Sequence, residues 1–350
     1  MQLKAARADG SACSRVHLCL YLPGLIDRAA AIAPQATRSL AQCIERIAPQ
    51  IERDGAVALL APRYGVAKQQ DWPLAPLRAA ALGLDVGARY WLRATPVLLE
   101  AGHDDVRVRG AVRDLDRAQA TALVDLLSRH FASDGLAFIA GTPGDWLVVT
   151  EHAPALTTRP LATVIGERVR PHLVSGEDAP TWRRWGQEIE MLLHDHPVNG
   201  AREQEGRSIV NSVWWQHGGI QPPASSVPVQ TWGHDDDLAA LAHHVGVPAR
   251  PLPGDAGAVW QSAPSTTVVM RLEADCEAEA MDARFVQPLL HALDTGRIEH
   301  LDLVADGAGK PALRWRVARQ PWWAPWRRTS SASLSDVLAR LEPEMSKASA

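Results

Sequence analysis

Residues 182–219 read WRRWGQEIEMLLHDHPVNGAREQEGRSIVNSVWWQHGG. Trp182, Trp185, Ile189, Leu192 and Leu193 recur at spacings of three and four. That spacing predicts an amphipathic helix whose apolar face is core, capped by Thr181 and stopped by Pro197. Asn199 is suited to cap a second, short helix carrying Arg202 and Glu203, with Gly206 closing it. Helix starts and arginines hold carboxylate or phosphate groups, so His196, Asn199, Arg202 and Glu203 form a candidate anion site. Arg202 is equally suited to a structural clamp with Glu188 or Glu203. Further on, Asn211 and Ser212 precede Trp214 and Trp215, and Gly218 with Gly219 closes the stretch. Paired glycines admit a ligand, a neighbouring backbone or a plain turn. We therefore take His196, Asn199, Arg202, Glu203, Asn211, Ser212, Trp214, Gly218 and Gly219 as the candidate ligand-binding set. His217 stands among them as a donor or base. His194 and His196 fall on different helix faces and do not make a joint metal site.

Outward from this stretch the elements alternate. Residues 16–22 form a short apolar run ended by Pro23-Gly24, and a helix is expected within residues 35–53. Residues 56–61 read as a strand and residues 72–84 as a helix. This order predicts an α/β protein with a mostly parallel central sheet flanked by helices. Between residues 88 and 175 the order changes. Strands at 90–99 and 106–112, a helix capped by Asp116, and a hairpin of 136–140 with 146–150 predict an inserted α+β module. The expected division is a core of residues 15–87 and 176–350, the module at 88–175, and a polar tail at 1–14. Residues 221–230, with three prolines, read as a loop or hinge. Helices are expected within 235–245, 277–293 and 334–341, and strands within 266–272, 300–305 and 313–317.

Composition fits a globular chain: 46% hydrophobic and 22% charged residues among 350. The formal net charge of −4 gives no general attraction to nucleic acid or an anionic membrane. A local exception is residues 307–335, with six basic and no acidic side chains. They include Trp322, Trp323, Trp326, Arg327 and Arg328, a tail that suits stacking on bases or a membrane interface but also docking on the core. The four cysteines form no CxxC pair and read as free thiols of a reducing compartment. Lys4, Arg7 and Arg15 before an apolar run imitate a secretory signal. Pro23-Gly24, His17 and Tyr21 interrupt it, so the reading is a first buried strand in a cytoplasmic protein. No apolar run is long enough to span a bilayer.

The string from His194 to Gly219 resembles the HPVN-x-x-RE-x-x-G-x-x-x-NS-x-W motif of the RpfE-type regulatory proteins. WLRATPVLLEAGHDDVRV, HFASDGLAF, DWLVV, TTRPL and EIEMLLH upstream agree with it. The same string is similar to one in archaeal-type, cofactor-independent phosphoglycerate mutases of the alkaline phosphatase superfamily. That resemblance implies a two-metal phosphoryl transfer through carboxylate and His ligands and a Ser or Thr nucleophile. It also implies an Asp-Gly pair ending the first strand, where this chain has Pro23-Gly24, with Asp27 nearby. No Asp-His-x-Thr-Pro or Gly-Asp-Gly-x-His-Asp occurs. Gly102–Asp105 and Gly233–Asp237 offer carboxylates and His as alternative ligands or as solvated loops. The resulting expectation is a non-catalytic regulatory relative of the mutases, a degenerate alkaline-phosphatase-like fold with no cofactor. It would bind a small anionic ligand or a protein partner, and no membrane. The alternative is an active mutase or metal-dependent phosphotransferase, which would need divalent metal.

Overall fold

The first strand explains the layer order. In the computed structural model, which describes residues 16–103, 105–260, 267–319 and 332–349, β1 (His17–Leu22) is buried at every position after His17. Such a continuous apolar run is what a strand covered on both faces requires. Leu18, Leu20 and Leu22 enter one core with Leu40, Ile44, Phe285 and Leu289. Cys19 and Tyr21 enter another with Leu59, Tyr64, Leu77 and Leu241. The alternation of a strand thus divides its side chains between two helical layers.

The remaining strands are β2 (Gln50–Glu52), β3 (Tyr90–Ala101), β4 (Val106–Ala111), β5 (Ala137–Thr142), β6 (Asp145–Thr150), β7 (Ser212–Gly219), β8 (Val229–Trp232), β9 (Ala249–Arg250), β10 (Thr267–Arg271), β11 (His300–Ala305) and β12 (Ala312–Ala318). Seven form one sheet in the order β2-β12-β11-β1-β10-β8-β9. β1 runs parallel to β10 and β11, and β8 runs parallel to β10 and β9. Only β12 and β2 close it antiparallel. The mostly parallel central sheet flanked by helices is therefore present as expected.

The other five strands make a second, antiparallel sheet in which β3 pairs with β4, β6 and β7. Helix Arg117–Phe131 begins at Asp116, whose side chain accepts from the Gln119 amide while Gln119 reaches back, a full capping box. Helix Ala179–His194 buries Trp182, Ile189 and Leu193 against Trp215 and Phe131, as its spacing predicts. The module is longer than 88–175. β7 lies beside β3, and the helices at 179–194 and 197–204 share the second sheet's surroundings, so a boundary at 176 cuts through its core.

Local differences have identifiable causes. Residues 56–60 are a helix, not a strand, because a short all-apolar run is equally at home in either. They pack on the central sheet through Leu59 and Leu60. Helix Arg38–Ile44 ends well before residue 53, and residues 50–52 instead pair with β12. Asp178, not Thr181, occupies the cap position of helix Ala179–His194. His196, not Asn199, caps the short helix Pro197–Gln204, its Nδ1 accepting from the Val198 amide at 3.2 Å. Gly206, with φ 69°, does close that helix. Residues 212–219, where the paired glycines left a ligand, a neighbouring backbone or a plain turn open, are a fully buried strand. Among the described residues no helix is long and apolar enough to cross a membrane. Cys19, Cys43 and Cys276 are free thiols. Cys13, the tail at 1–14 and the Trp/Arg segment at 322–328 lie outside the described residues.

Candidate functional site

Of the nine residues singled out by sequence, all but the exposed Glu203 are structural fastenings. Asn199 donates to the carbonyls of Leu193 and Val210, each at 2.7 Å, and accepts from the Val210 amide at 2.9 Å. Arg202 has no solvent-exposed surface. Its guanidinium bonds Ser208 O at 2.7 Å, Gln119 Oε1 at 3.0 Å, Asp114 O at 3.3 Å and Asp114 Oδ1 at 2.5 Å. The clamp partner is thus Asp114, and Glu188 pairs instead with Arg184 and His130. Glu203 is exposed. Asn211 reads the Leu99 backbone like an extra strand residue, accepting from its amide and donating to its carbonyl, both at 2.7 Å. Ser212 donates to Glu190 Oε1, and Trp214 donates to Arg159 O at 2.8 Å. At Gly218 a Cβ would lie 2.1 Å from the Tyr90 hydroxyl, and at Gly219 2.6 Å from Pro73 Cβ. The glycines allow close packing. Asn199 and Arg202 direct their side chains inward, and none of the nine lines the inter-sheet cleft described next.

A cleft of about 850 Å³ lies elsewhere, between the two sheets. Its floor is the carboxyl end of the parallel strands, where open α/β sheets bind ligands. Tyr21 comes from β1, Arg271 from β10, and His234, Asp235, Asp236 and Asp237 from the loop after β8 and the helix it starts. The opposite wall is the antiparallel sheet: Arg93 and Thr95 on β3, Asp145 on β6, and Gln216 and His217 on β7. Of the residues read from sequence, His217 and, from the Gly233–Asp237 string, His234 to Asp237 converge here. Asp27 does not; it accepts from the Ala308 amide at 2.7 Å and pairs with Lys310 at 3.4 Å. Asp105 is held by Arg168 at 2.7 Å in the turn before β4.

Every carboxylate at these strand ends already has a partner. Asp306, one residue past β11, accepts from the Tyr21 hydroxyl and from the Gly24 amide at 2.7 Å. Gly24 has φ 66°, a left-handed conformation that lets its amide turn toward Asp306. Asp235 pairs with Arg271 and caps helix Asp236–His244 through the Leu238 amide at 2.6 Å. Arg78 bridges Asp145 at 2.9 Å and Asp236 at 2.8 Å. Arg93 bridges Asp145 at 3.1 Å and Asp237. Arg78 and Arg93 thereby stitch the antiparallel sheet to the parallel layer.

Burial by itself raises the Asp237 carboxyl, yet Arg93 overrides it and holds the group well below the usual carboxylate range. His217 is pushed down to about 4, chiefly by burial and next by Arg93. It is also the non-glycine residue at positive φ (60°) among the described residues. A neutral imidazole therefore faces the cleft at physiological pH, able to accept or donate one hydrogen bond. Arg113, exposed on the rim, has no ion pair among the described residues.

Two-ion phosphoryl transfer needs carboxylates and imidazoles with free lone pairs converging on each ion. Among the described residues no group of three or more His, Cys, Asp or Glu is arranged to hold a metal ion. The donors at the strand ends point at guanidinium, hydroxyl or amide hydrogens, and Pro23 brings no side-chain ligand at the end of β1. This donor set does not fit a dinuclear metal centre. The arrangement is suited to recognising charge and hydrogen-bonding groups.

The cleft residues missing from the sequence reading are chiefly Arg93, Asp145, Gln216 and Arg271. Arg93 lies inside the quoted WLRATP run. Nothing local distinguishes its guanidinium from that of a solvated arginine.

No family model matches the chain. A 2,3-bisphosphoglycerate-independent phosphoglycerate mutase from Methanosarcina mazei is 26% identical over 160 residues, 41% of this chain and 36% of the relative. Mutase 2 of Methanothermobacter thermautotrophicus is 30% identical over 146 residues, 37% of this chain and 36% of the relative. A probable mutase of the same description from Geobacter sulfurreducens is 25% identical over 147 residues, 41% of this chain and 37% of the relative. The matches thus span little more than a third of each relative's length. Among solved structures, the cofactor-independent phosphoglycerate mutase of Thermoplasma acidophilum aligns with a TM-score of 0.39 and 15% identity, covering 94% of this chain and 99% of that one. A Pyrococcus horikoshii protein aligns with a TM-score of 0.46 and 12% identity, covering 95% and 97%. Over about two-fifths of its length, then, the chain is related to the 2,3-bisphosphoglycerate-independent phosphoglycerate mutases.

Proposed function

We propose that this chain is a non-catalytic relative of the phosphoglycerate mutases, with a degenerate alkaline-phosphatase-like fold, that binds a small anionic molecule in the inter-sheet cleft. The carrying observation is that Asp235, Asp236 and Asp237 are each neutralised by an arginine where metal ligands would have to stand. A guanidinium is a permanent cation, so these carboxylates have no call for a divalent one. The anion preference rests on Arg113, whose charge is not spent on a carboxylate, beside Arg93 and Arg271. Such a binder fits the RpfE-type resemblance, in which ligand occupancy would be read out as regulation. Of the nine residues of the 182–219 stretch, all but Glu203 then hold the cleft's wall in place, and none touches the ligand.

The deciding experiment measures mutase activity on 2- and 3-phosphoglycerate with Mn²⁺, Mg²⁺ and Co²⁺, alongside calorimetric titration of each ion. The expected result is no turnover and no tight ion binding. In parallel, 3-phosphoglycerate is expected to raise the melting temperature of the native chain and not of Arg113→Ala. Turnover with two bound ions would overturn the proposal in favour of the second reading, an active phosphotransferase with unusual ligands, which the sequence match to the mutases favours.

A further inference from the structure

A second cleft, of about 570 Å³, opens between the segment at 159–172, the loop at 308–311 and helix Glu342–Ser349. A recess beneath it, of about 10 Å³ and so room for about one water, is lined by Arg53, Arg159, Thr163 and His172, with Pro311 and Ala348, and by no carboxylate among the described residues. Arg159 is the key residue. Trp214 fixes its backbone by donating to its carbonyl at 2.8 Å. Its half-buried guanidinium has no hydrogen bond or ion pair among the described residues. Thr163 donates its hydroxyl hydrogen to Pro160 O at 2.8 Å, which leaves the oxygen fixed in direction. Arg53 reaches in from beside β2, bonding Lys347 O at 3.1 Å. Lys310 stands at the wider end, its ammonium 3.4 Å from Asp27.

The His172 imidazole is pushed below its ordinary value by burial and then by Arg159, with Glu167 pulling weakly the other way. Arg159 contributes a fixed positive charge that no carboxylate of the recess answers, the kind of donor that charge-assisted hydrogen bonding to an oxyanion uses. The outer rim differs: Glu167 and Glu342 line it without ion pairs among the described residues. The polarity therefore runs from a cationic floor to an acidic mouth.

We infer that this cleft binds a small molecule with an oxyanion head, phosphate, sulfate or carboxylate, seated against Arg159 and His172 where the recess opens into the cleft. Its body carries hydroxyl or amino donors for Glu167 and Glu342. The site is separate from the inter-sheet cleft, although the same segment walls both: Pro160, Leu161 and Ile165 face one, and Arg159, Thr163 and His172 face the other.

The test is isothermal titration of the full chain with sulfate, inorganic phosphate and acetate at constant ionic strength, using chloride as the reference. Saturable binding of at least one oxyanion is expected, weakened roughly tenfold or more in Arg159→Ala, as loss of a charge-assisted pair implies. The same titrations are run on Arg113→Ala, which removes anion binding in the other cleft; the component lost in Arg159→Ala should persist there. Arg159→Lys and His172→Gln serve if Arg159→Ala folds poorly, each expected to weaken binding. Phosphate or sulfate binding without acetate binding identifies a tetrahedral head group; acetate binding identifies a carboxylate. Absence of saturation above chloride overturns the inference. So does binding that survives Arg159→Ala and His172→Gln when each is combined with Arg113→Ala, or that is lost with Arg113 alone.

Discussion

Arg202 and Arg93 are both buried arginines facing aspartates, yet they do different work. Arg202 spends its donors on two backbone carbonyls, an amide oxygen and Asp114, all within the antiparallel module. Arg93 spends its donors on two carboxylates, Asp145 and Asp237, that belong to different layers and border open space. The first arrangement is a rivet: nothing can replace its partners without unfolding the turn at 204–210. The second is a charge balance that an arriving ligand or ion can perturb. The segment richest in polar residues is therefore the most structural, while the candidate site is assembled from side chains scattered over the chain.

The largest effect should come from Arg202→Ala. It leaves buried acceptors without donors and opens a void, and should cost about 4 kcal/mol in chemical denaturation. Because Asp114 is half exposed, the ion pair itself accounts for little of this. A variant that kept wild-type stability but lost anion-dependent stabilisation would return Arg202 to the binding role and erase the contrast.

Arg93→Met should cost roughly 3 kcal/mol at neutral pH and change the sign of a pH dependence. In the native chain Asp237 is held low, so its contribution is present above the ordinary carboxylate range and is lost on acidification. Without Arg93, burial raises the group, and its contribution is lost as pH rises through the raised value. Denaturation midpoints of the variant should therefore improve on mild acidification. Parallel pH profiles for both proteins would show that Arg93 does not hold Asp237.

His217 sharpens the same point. Its folded value of about 4 lies below the ordinary 6.5, so the fold favours the neutral ring. Stability from this residue is complete above the ordinary value and is lost as pH falls toward the folded one. The difference is about 3 kcal/mol at most. His217→Asn, which tolerates positive φ, should flatten this part of the profile between those limits. An unchanged profile would mean that His217 is not buried beside Arg93.

Asn211→Ala should have the smallest effect, about 1–2 kcal/mol, because the Leu99 amide and carbonyl it serves lie where water has partial access. A loss as large as that of Arg202→Ala would mean that strand register, not the rivet, governs the module.

Much of the fold was legible in the sequence where a local period matched a buried face. β1, β3, β11 and the helix at 179–194 were readable because continuous, alternating and 3.6-residue patterns report burial directly. The helix at 56–60 and the strands at 50–52 and 212–219 were not. Their patterns are compatible with either state, and pairing with distant strands decides between them. For the site, Gly233–Asp237 and His217 were legible as polar clusters beside glycine. Arg93 and Asp145 were not, since an ion pair formed across sheets leaves no mark in either neighbourhood.

Alone, the order of residues determined the mostly parallel layer, the presence of an interrupting antiparallel unit, and the likeness to the mutases. Those properties follow from hydrophobic spacing and from strings of adjacent residues. Only the tertiary structure decided that Asn199 and Arg202 are fastenings, that Asp235, Asp236 and Asp237 pair with arginines, and that Asp306 is held by Tyr21 and the Gly24 amide. For the strand-end carboxylates, whether a side chain is spent or available depends on partners as far as 67 and 144 positions away, and that information exists only once the two sheets face each other.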